Sequence, residues 1–205
     1  FLKTYYKGDF IAATMSTELT NTSKLREFIE ELKKLNIEII KPSINKCFSD
    51  FKAIDGKIYY GLGAIKNVGL EAISNIVNER ENNGRFKSFI DFIYRVNPKD
   101  INKLQLEGLI KAGVFDEFDK DRSKILNSVP KIIQKIKNLN IDKENHQTNL
   151  FNDQENEKNE FDFEASSPWS QKELLSEEFK SIGFYLTNHP LNEFEEIFTQ
   201  LNIDS

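Results

Sequence analysis

Apolar positions along this chain recur mostly at three- and four-residue spacing, the pattern of helices with one buried face. Phe10, Ile11, Ala12, Ala13 and Met15 predict a first helical segment, and Leu25, Phe28, Ile29, Leu32 and Leu35 a second. Thr22 or Ser23 is the expected cap of the second helix, with Arg26, Glu27, Glu30, Glu31, Lys33 and Lys34 on its solvent side. The period then changes. Ile37 to Ile40 is a short β-branched run closed by Pro42, which predicts a strand. Phe51 to Tyr60 carries Asp55-Gly56 at its centre, the pair that supplies the positive φ values of a two-residue hairpin turn.

Helical spacing returns with Leu70, Ile73, Ile76 and Val77 after Gly69, runs to about Arg80, and stops at Asn82-Asn83-Gly84. Phe86, Phe89, Ile90, Phe92, Ile93 and Tyr94 make a dense aromatic patch; base stacking is one use of it, a packed core the commoner one. Asn97-Pro98 breaks that helix. Leu104, Leu106, Leu109 and Ile110 then predict a helix closing at Ala112-Gly113, a turn follows to Phe118, and a further helix runs from about Asp121 to Ile136. Pro130 inside that pattern predicts a kink or a break. From Asn138 to about Ser167 the chain is polar and acidic without period, which predicts a mobile linker. Ser170 to Glu173 is a capping box, and Asn188-His189-Pro190-Leu191 starts a last amphipathic helix with Phe194, Ile197, Phe198 and Leu201 inward. The predicted fold class is therefore mainly α with a small β-hairpin or sheet.

Composition changes the picture little until it is divided along the chain. The 205 residues suit one or two domains, and 39% hydrophobic with 30% charged residues describes a globular chain with solvated segments. No apolar run approaches the ~18 residues of a membrane span, and nothing at the start resembles a signal peptide. The first residues, Phe1 to Tyr6, lack an initiator Met and read as an excised piece of something longer. A single cysteine, Cys47, excludes an internal disulfide and fits a cytoplasmic protein. Net charge is −5, but residues 1–140 carry 24 Lys and Arg against 18 Asp and Glu, while residues 141–205 carry 4 against 15. The acidity lies in the last third; the rest is mildly basic.

The candidate chemistry sits in that basic part. Gly61-Leu62-Gly63-Ala64-Ile65-Lys66-Asn67-Val68-Gly69 is a tight apolar turn leading into a helix. A glycine at such a bend keeps side chains away from an approaching backbone, and the helix start offers unpaired N–H groups and a positive dipole end for one phosphate. That is the design of a helix-hairpin-helix, which grips nucleic-acid backbone without reading bases. An ordinary buried helix after a glycine turn fits the same residues. The unit around Gly113 repeats the plan, so a tandem helix-hairpin-helix is expected. Its expected DNA contacts are Gly61, Gly63, Lys66, Asn67, Val68 and Gly69 in the first unit, and Lys111 and Gly113 in the second.

Within the linker, Leu150 and Phe151 have no core of their own to enter, and with Gln147 they form a peptide suited to a partner's pocket. Chance, or docking on the same chain, is the alternative. Asp116, Asp119 and Asp121 do not have calcium-loop spacing and fit capping. His146 and His189 have no partners at ligand spacing. Neither a catalytic nor a metal site is expected in this chain.

Ordered blocks then narrow the reading. Tyr5-Tyr6-Lys7-Gly8-Asp9-Phe10-Ile11-Ala12-Ala13, the Tyr60 to Gly69 segment, Leu109-Ile110-Lys111-Ala112-Gly113-Val114-Phe115-Asp116 and Gly183-Phe184-Tyr185-Leu186-Thr187-Asn188-His189-Pro190-Leu191 resemble the alpha subunits of bacterial DNA polymerase III, the family C replicative polymerases. The resemblance implies the end of a fingers domain at 1–45 and a duplex-binding tandem helix-hairpin-helix at 46–140. It implies a linker at 141–168 whose Gln147, Leu150 and Phe151 bind the sliding clamp, the beta subunit. Residues 169–205 are then expected to lead toward an oligonucleotide-binding domain. It also implies other replicase subunits as partners, Mg2+ as the cofactor of the full polymerase but not of this stretch, and catalytic aspartates upstream, leaving this piece inactive alone. Asn67 departs from the family, which usually has Gly there, and the second unit keeps only Gly113 of a Gly-x-Gly pair. A helix-hairpin-helix of a DNA repair protein, and a docking domain without DNA contact, remain as alternatives.

Overall fold

The computed structural model describes residues 6–144 and 161–186, with side chains omitted for 140–144. Among these residues it is mostly helical with one small sheet, as the spacing predicts. Helix α1 spans Lys7–Thr17 and α2 spans Thr22–Lys34. The cap of α2 is Asn21, one residue earlier than expected: its side-chain oxygen accepts from the Lys24 N–H at 3.3 Å. Leu25, Ile29 and Leu32 bury the predicted face. Asn36, at φ 55°, turns the chain out of α2.

Strands β1 (Ile39–Ile40), β2 (Lys52–Ile54) and β3 (Lys57–Tyr59) form a sheet in the order β1-β3-β2. The β2–β3 hairpin closes through Asp55 at φ 51° and Gly56 at φ 74°, the two positive values its sequence requires. Strand β1 lies parallel to β3, with Ile39 opposite Ile58.

A 3-10 turn at Leu62–Ala64 leads to α3, Leu70–Asn83, which Gly84 ends at φ 82°. Helix α4 is Phe89–Arg95, capped by Ser88, and α5 is Lys103–Lys111, opened by a capping box of Asn102 and Gln105. Phe86, Phe89 and Phe92 are core: Phe89 and Phe92 each lie 4.9 Å, centroid to centroid, from Phe115. The helix expected from Asp121 to Ile136 is divided into α6, Arg122–Asn127, and α7, Val129–Glu144. The break falls at Ser128, which places Pro130 in a first turn, where its missing N–H costs no helical bond.

Residues 161–168 depart from the mobile linker expected at 141–168. Phe163 lies 6.1 Å from the Phe89 ring, the Glu164 N–H donates to Ser128 Oγ at 2.7 Å, and Ser123 Oγ is 2.9 Å from Ser166 Oγ. The reason is local. Phe163 finds the Phe89 ring of α4 and carries Phe161 against itself at 4.9 Å, while Ser123 Oγ meets both Ser166 Oγ and the Ser167 carbonyl. Residues 141–144 continue α7. Helix α8, Gln171–Ile182, opens with the predicted Ser170–Glu173 capping box and packs on α5. One core runs from Ile11 and Met15 of α1 through Ile58, Leu106 and Ile132 to Ile182, Phe184 and Leu186, so residues on both sides of positions 45 and 168 share it.

Candidate nucleic-acid interface

The first hairpin is held by its glycines, though not in the way expected of phosphate contacts. The Leu62 N–H donates to the Phe48 carbonyl at 2.8 Å and the Gly63 N–H to the Ser49 carbonyl at 2.9 Å. A Cβ at Gly61 would stand 2.8 Å from the Phe51 nitrogen, and one at Gly63 would stand 2.9 Å from the Ser49 oxygen. Gly61 and Gly63 therefore let the turn lie backbone to backbone on residues 48–51. The structure assigns them to packing. What they position is the loop that follows.

In that loop Lys66, Asn67 and Gly69 are exposed and Val68 is half-buried. The bend is made by Asn67, at φ 65°, and not by Gly69, which sits at φ −74°, ψ 133° as the N-cap of α3. Asparagine is the non-glycine residue that best tolerates the left-handed region, so Asn67 can make the bend where the resemblance implies Gly. The α3 start has no side-chain cap, and among the described residues the N–H groups of Gly69, Leu70, Glu71 and Ala72 meet no acceptor. Lys66 makes no ion pair among those residues either. These donors and the helix dipole face solvent at the exposed tip of a turn, the arrangement that binds an anion. Glu71, in the first turn, opposes a second anion there.

The second hairpin has the same plan and a different outcome. Gly113, at φ 79°, is buried, and a Cβ on it would run into the Arg122 guanidinium and stand 2.8 Å from Asp116 Oδ2. Arg122 fills the turn: Nε and Nη2 donate to the two Asp116 carboxylate oxygens at 2.7 and 2.6 Å, and Nη1 donates to the Lys111 carbonyl at 2.8 Å. The buried Glu178 carboxylate of α8 lies 3.7 Å from Nη1. Lys111 Nζ is 3.0 Å from the Glu177 carboxylate. Gly113 is thus no open phosphate site. Asp119 accepts the Asp121 N–H at 2.9 Å and Lys124 Nζ at 3.0 Å; of the three aspartates only Asp121 caps α6 as expected, while Asp116 pairs with Arg122 and Asp119 braces the turn. Among the described residues no cluster of His, Cys, Asp or Glu is placed to hold a metal ion. Gln147, Leu150 and Phe151 lie outside the described residues.

Residues 36–125, from the turn before β1 through both hairpins into α6, match the family model described as "Helix-hairpin-helix motif". Beyond that segment, the whole chain is similar to DNA polymerase III subunit alpha of several bacteria. It is 37% identical to that of Borreliella burgdorferi over 99% of this chain, 36% identical to that of Caulobacter vibrioides over 94%, and 38% identical to that of Campylobacter jejuni over 96%. The chain belongs to the DNA polymerase III alpha family. It spans 17 to 18% of the length of these relatives.

Seen as a stretch of a DNA polymerase III alpha chain, the site includes residues that periodicity does not reveal. Gly108, in the middle of α5, lies under the hairpin, and a Cβ there would stand 2.8 Å from the Lys66 carbonyl oxygen. A glycine inside a helical pattern is a detectable signal, because it costs about 1 kcal/mol against Ala and needs a packing reason. From α8, the Ser181 carbonyl accepts the Lys66 N–H at 2.8 Å. That contact joins residues 115 positions apart in sequence and has no local signature. Buried Arg80 ties α3 to the preceding loop, donating to the carbonyls of Ile44 at 2.8 Å and Cys47 at 2.6 Å. Burial pushes the Cys47 thiol up to about 11, so it is protonated and inert near neutral pH.

Proposed function

We propose that this chain is a duplex-DNA-gripping stretch of a replicative DNA polymerase, and that its first hairpin holds a backbone phosphate. The open, uncapped start of α3 beside the Asn67 bend carries this reading. Amides of Gly69, Leu70 and Glu71 donate to the phosphate oxygens, and the helix dipole adds favourable charge. Lys66 supplies an ammonium at the same edge. Val68 stays half-buried and sets the loop on the core. No base edge is read, so the grip is sequence-blind and salt-sensitive. In the full protein it keeps the enzyme on primer-template during DNA-directed DNA synthesis in the cytoplasm, with Mg2+ and the catalytic carboxylates supplied by other parts of the chain.

The peptide containing Gln147, Leu150 and Phe151 is proposed to tether the polymerase to the sliding clamp, among the other replicase subunits. Tethering acts through effective concentration, so a weak peptide contact suffices for long runs. Replacing Leu150 and Phe151 together by Ala is expected to abolish clamp capture with melting unchanged; full clamp affinity in that variant would remove this part.

Gly69→Leu tests the grip directly. A Cβ at Gly69 meets only ordinary contacts, 3.5 Å from Gln105 Nε2, so the fold tolerates it while the side chain stands before the α3 start. Duplex affinity is expected to fall about tenfold, roughly the 1.4 kcal/mol of one charge-assisted hydrogen bond, and equally across sequences. Loss for some sequences only would favour base readout. Absence of duplex binding by the parent at both low and moderate salt would favour the docking-domain alternative, and a preference for lesions over intact duplex the repair-type module.

A further inference from the structure

Beside the first hairpin lies a hollow of about 140 Å³ that is built from three separate elements. Lys66 and Asn67 come from the hairpin, Leu104, Gly108 and Lys111 from α5, and Lys180 from α8. The glycine at 108 permits α5 to close on the Lys66 carbonyl, and the Lys66 N–H bond to the Ser181 carbonyl fixes α8 against the same loop. The three lysines are thus held around one small space by backbone contacts, not gathered by chance along one surface helix.

The carboxylates around them matter as much. Glu107 lies in the wall and is drawn to Lys103 at 3.8 Å, outside the hollow. Glu177 takes both of the other lysines: Lys111 Nζ at 3.0 Å, and Lys180, its neighbour one turn on. Its side chain is 17% exposed, so it meets two ammonium groups in a partly desolvated place. Burial pushes the Glu177 carboxyl up, but the hydrogen bonds from Lys180 and Lys111 outweigh it and hold the carboxyl below its ordinary range. One carboxylate bridging two ammonium groups is the geometry a phosphate oxygen pair would adopt in its place.

We infer that this hollow seats a second phosphodiester of the DNA backbone, with Lys111 and Lys180 as its contacts and Glu177 as the internal carboxylate that the phosphate displaces. The inference rests on the first hairpin binding duplex backbone and extends that grip to α8, outside the helix-hairpin-helix segment at 36–125. It also gives α8 a part in binding beyond packing on α5. The occupant is a phosphate joined to the one at the α3 start, and the exposed apolar Leu104, at 61%, offers a surface for the deoxyribose between them.

The test is titration of the 205-residue chain with duplex DNA across a salt series, using parent, Lys180→Ala, Lys180→Arg and Glu177→Gln. The Lys180 side chain is 61% exposed, so its substitution leaves the core intact; thermal melting verifies this for each variant. Lys180→Ala is expected to weaken binding several-fold and to reduce the slope of log affinity against log salt by about 1, the loss of one phosphate contact. Lys180→Arg is expected to restore the slope. Glu177→Gln is expected to bind more tightly than the parent, because two lysines lose their competitor. Unchanged affinity and slope in Lys180→Ala, with Gly69→Leu still weakened, would overturn this inference and leave the hairpin grip standing. No duplex binding by the parent would overturn both.

Discussion

At the first hairpin the residue in the left-handed region is Asn67, exposed at the tip of a turn whose helix start is uncapped; at the second it is Gly113, buried beneath the Arg122 guanidinium. Both turns join a helical element to a helix through a positive-φ residue. One offers free N–H donors to solvent, whereas the other is filled by the chain's own cation, held by Asp116 and the Lys111 carbonyl. A repeated motif therefore need not repeat a function. What decides it is what the surrounding elements place at the turn. At the second hairpin that is α6 itself together with Glu178 of α8; at the first, α8 braces the loop by its backbone at Lys66 and leaves the tip open.

The sharpest way to break this contrast is Arg122→Ala. It removes the cation 3.7 Å from the buried Glu178 carboxylate, together with the bonds to Asp116 and the Lys111 carbonyl, and empties the second turn. A loss of about 3 kcal/mol in urea unfolding is expected, the cost of removing one partner from a buried pair. Duplex affinity of the folded protein is expected to stay unchanged. A large gain in affinity would mean that Arg122 shields a working second phosphate site.

Asn67 allows a smaller and more selective perturbation. Asn67→Val puts a β-branched residue at φ 65° and is expected to cost about 1–2 kcal/mol, whereas Asn67→Gly is expected to change stability by no more than about 0.5 kcal/mol. Thermal melting of the pair checks this. Equal melting of the two variants would show that the bend is not what Asn67 contributes.

The smallest effect is one of pH at the second hairpin. Burial pushes the Asp119 carboxyl up, but the Asp121 N–H and the Lys124 ammonium bond it and hold it below its ordinary range. A carboxyl lowered in the folded state contributes stability above its unfolded pKa of about 4, and loses it as pH falls through the folded value. Acid unfolding of Asp119→Asn is expected to show a shallower decline below about pH 4 than the parent. Identical acid limbs would remove Asp119 from the account of this turn.

Much of this was legible in residue order. The Asp55-Gly56 pair specifies its turn because only a few residues accept two consecutive positive φ values. The Ser170–Glu173 capping box and the break near Pro130 are likewise set by groups within four residues of one another. The aromatic patch from Phe86 to Tyr94 read as core on density alone. The α2 cap was displaced by one residue, since Asn21 and Thr22 both have capping side chains and only the three-dimensional start of the helix selects between them.

Sequence by itself determined the mainly helical class, the hairpin, the positions of both turns and the family, because these depend on local backbone preference, on spacing and on ordered motifs. Tertiary structure alone decided which turn is open, that Gly61 and Gly63 serve packing, that 161–168 lies on α4 and α6, and that α8 closes on Lys66. Those outcomes follow from contacts between residues far apart in the chain. A glycine or a lysine looks the same in sequence whether its neighbour in space is solvent, a carbonyl or a guanidinium.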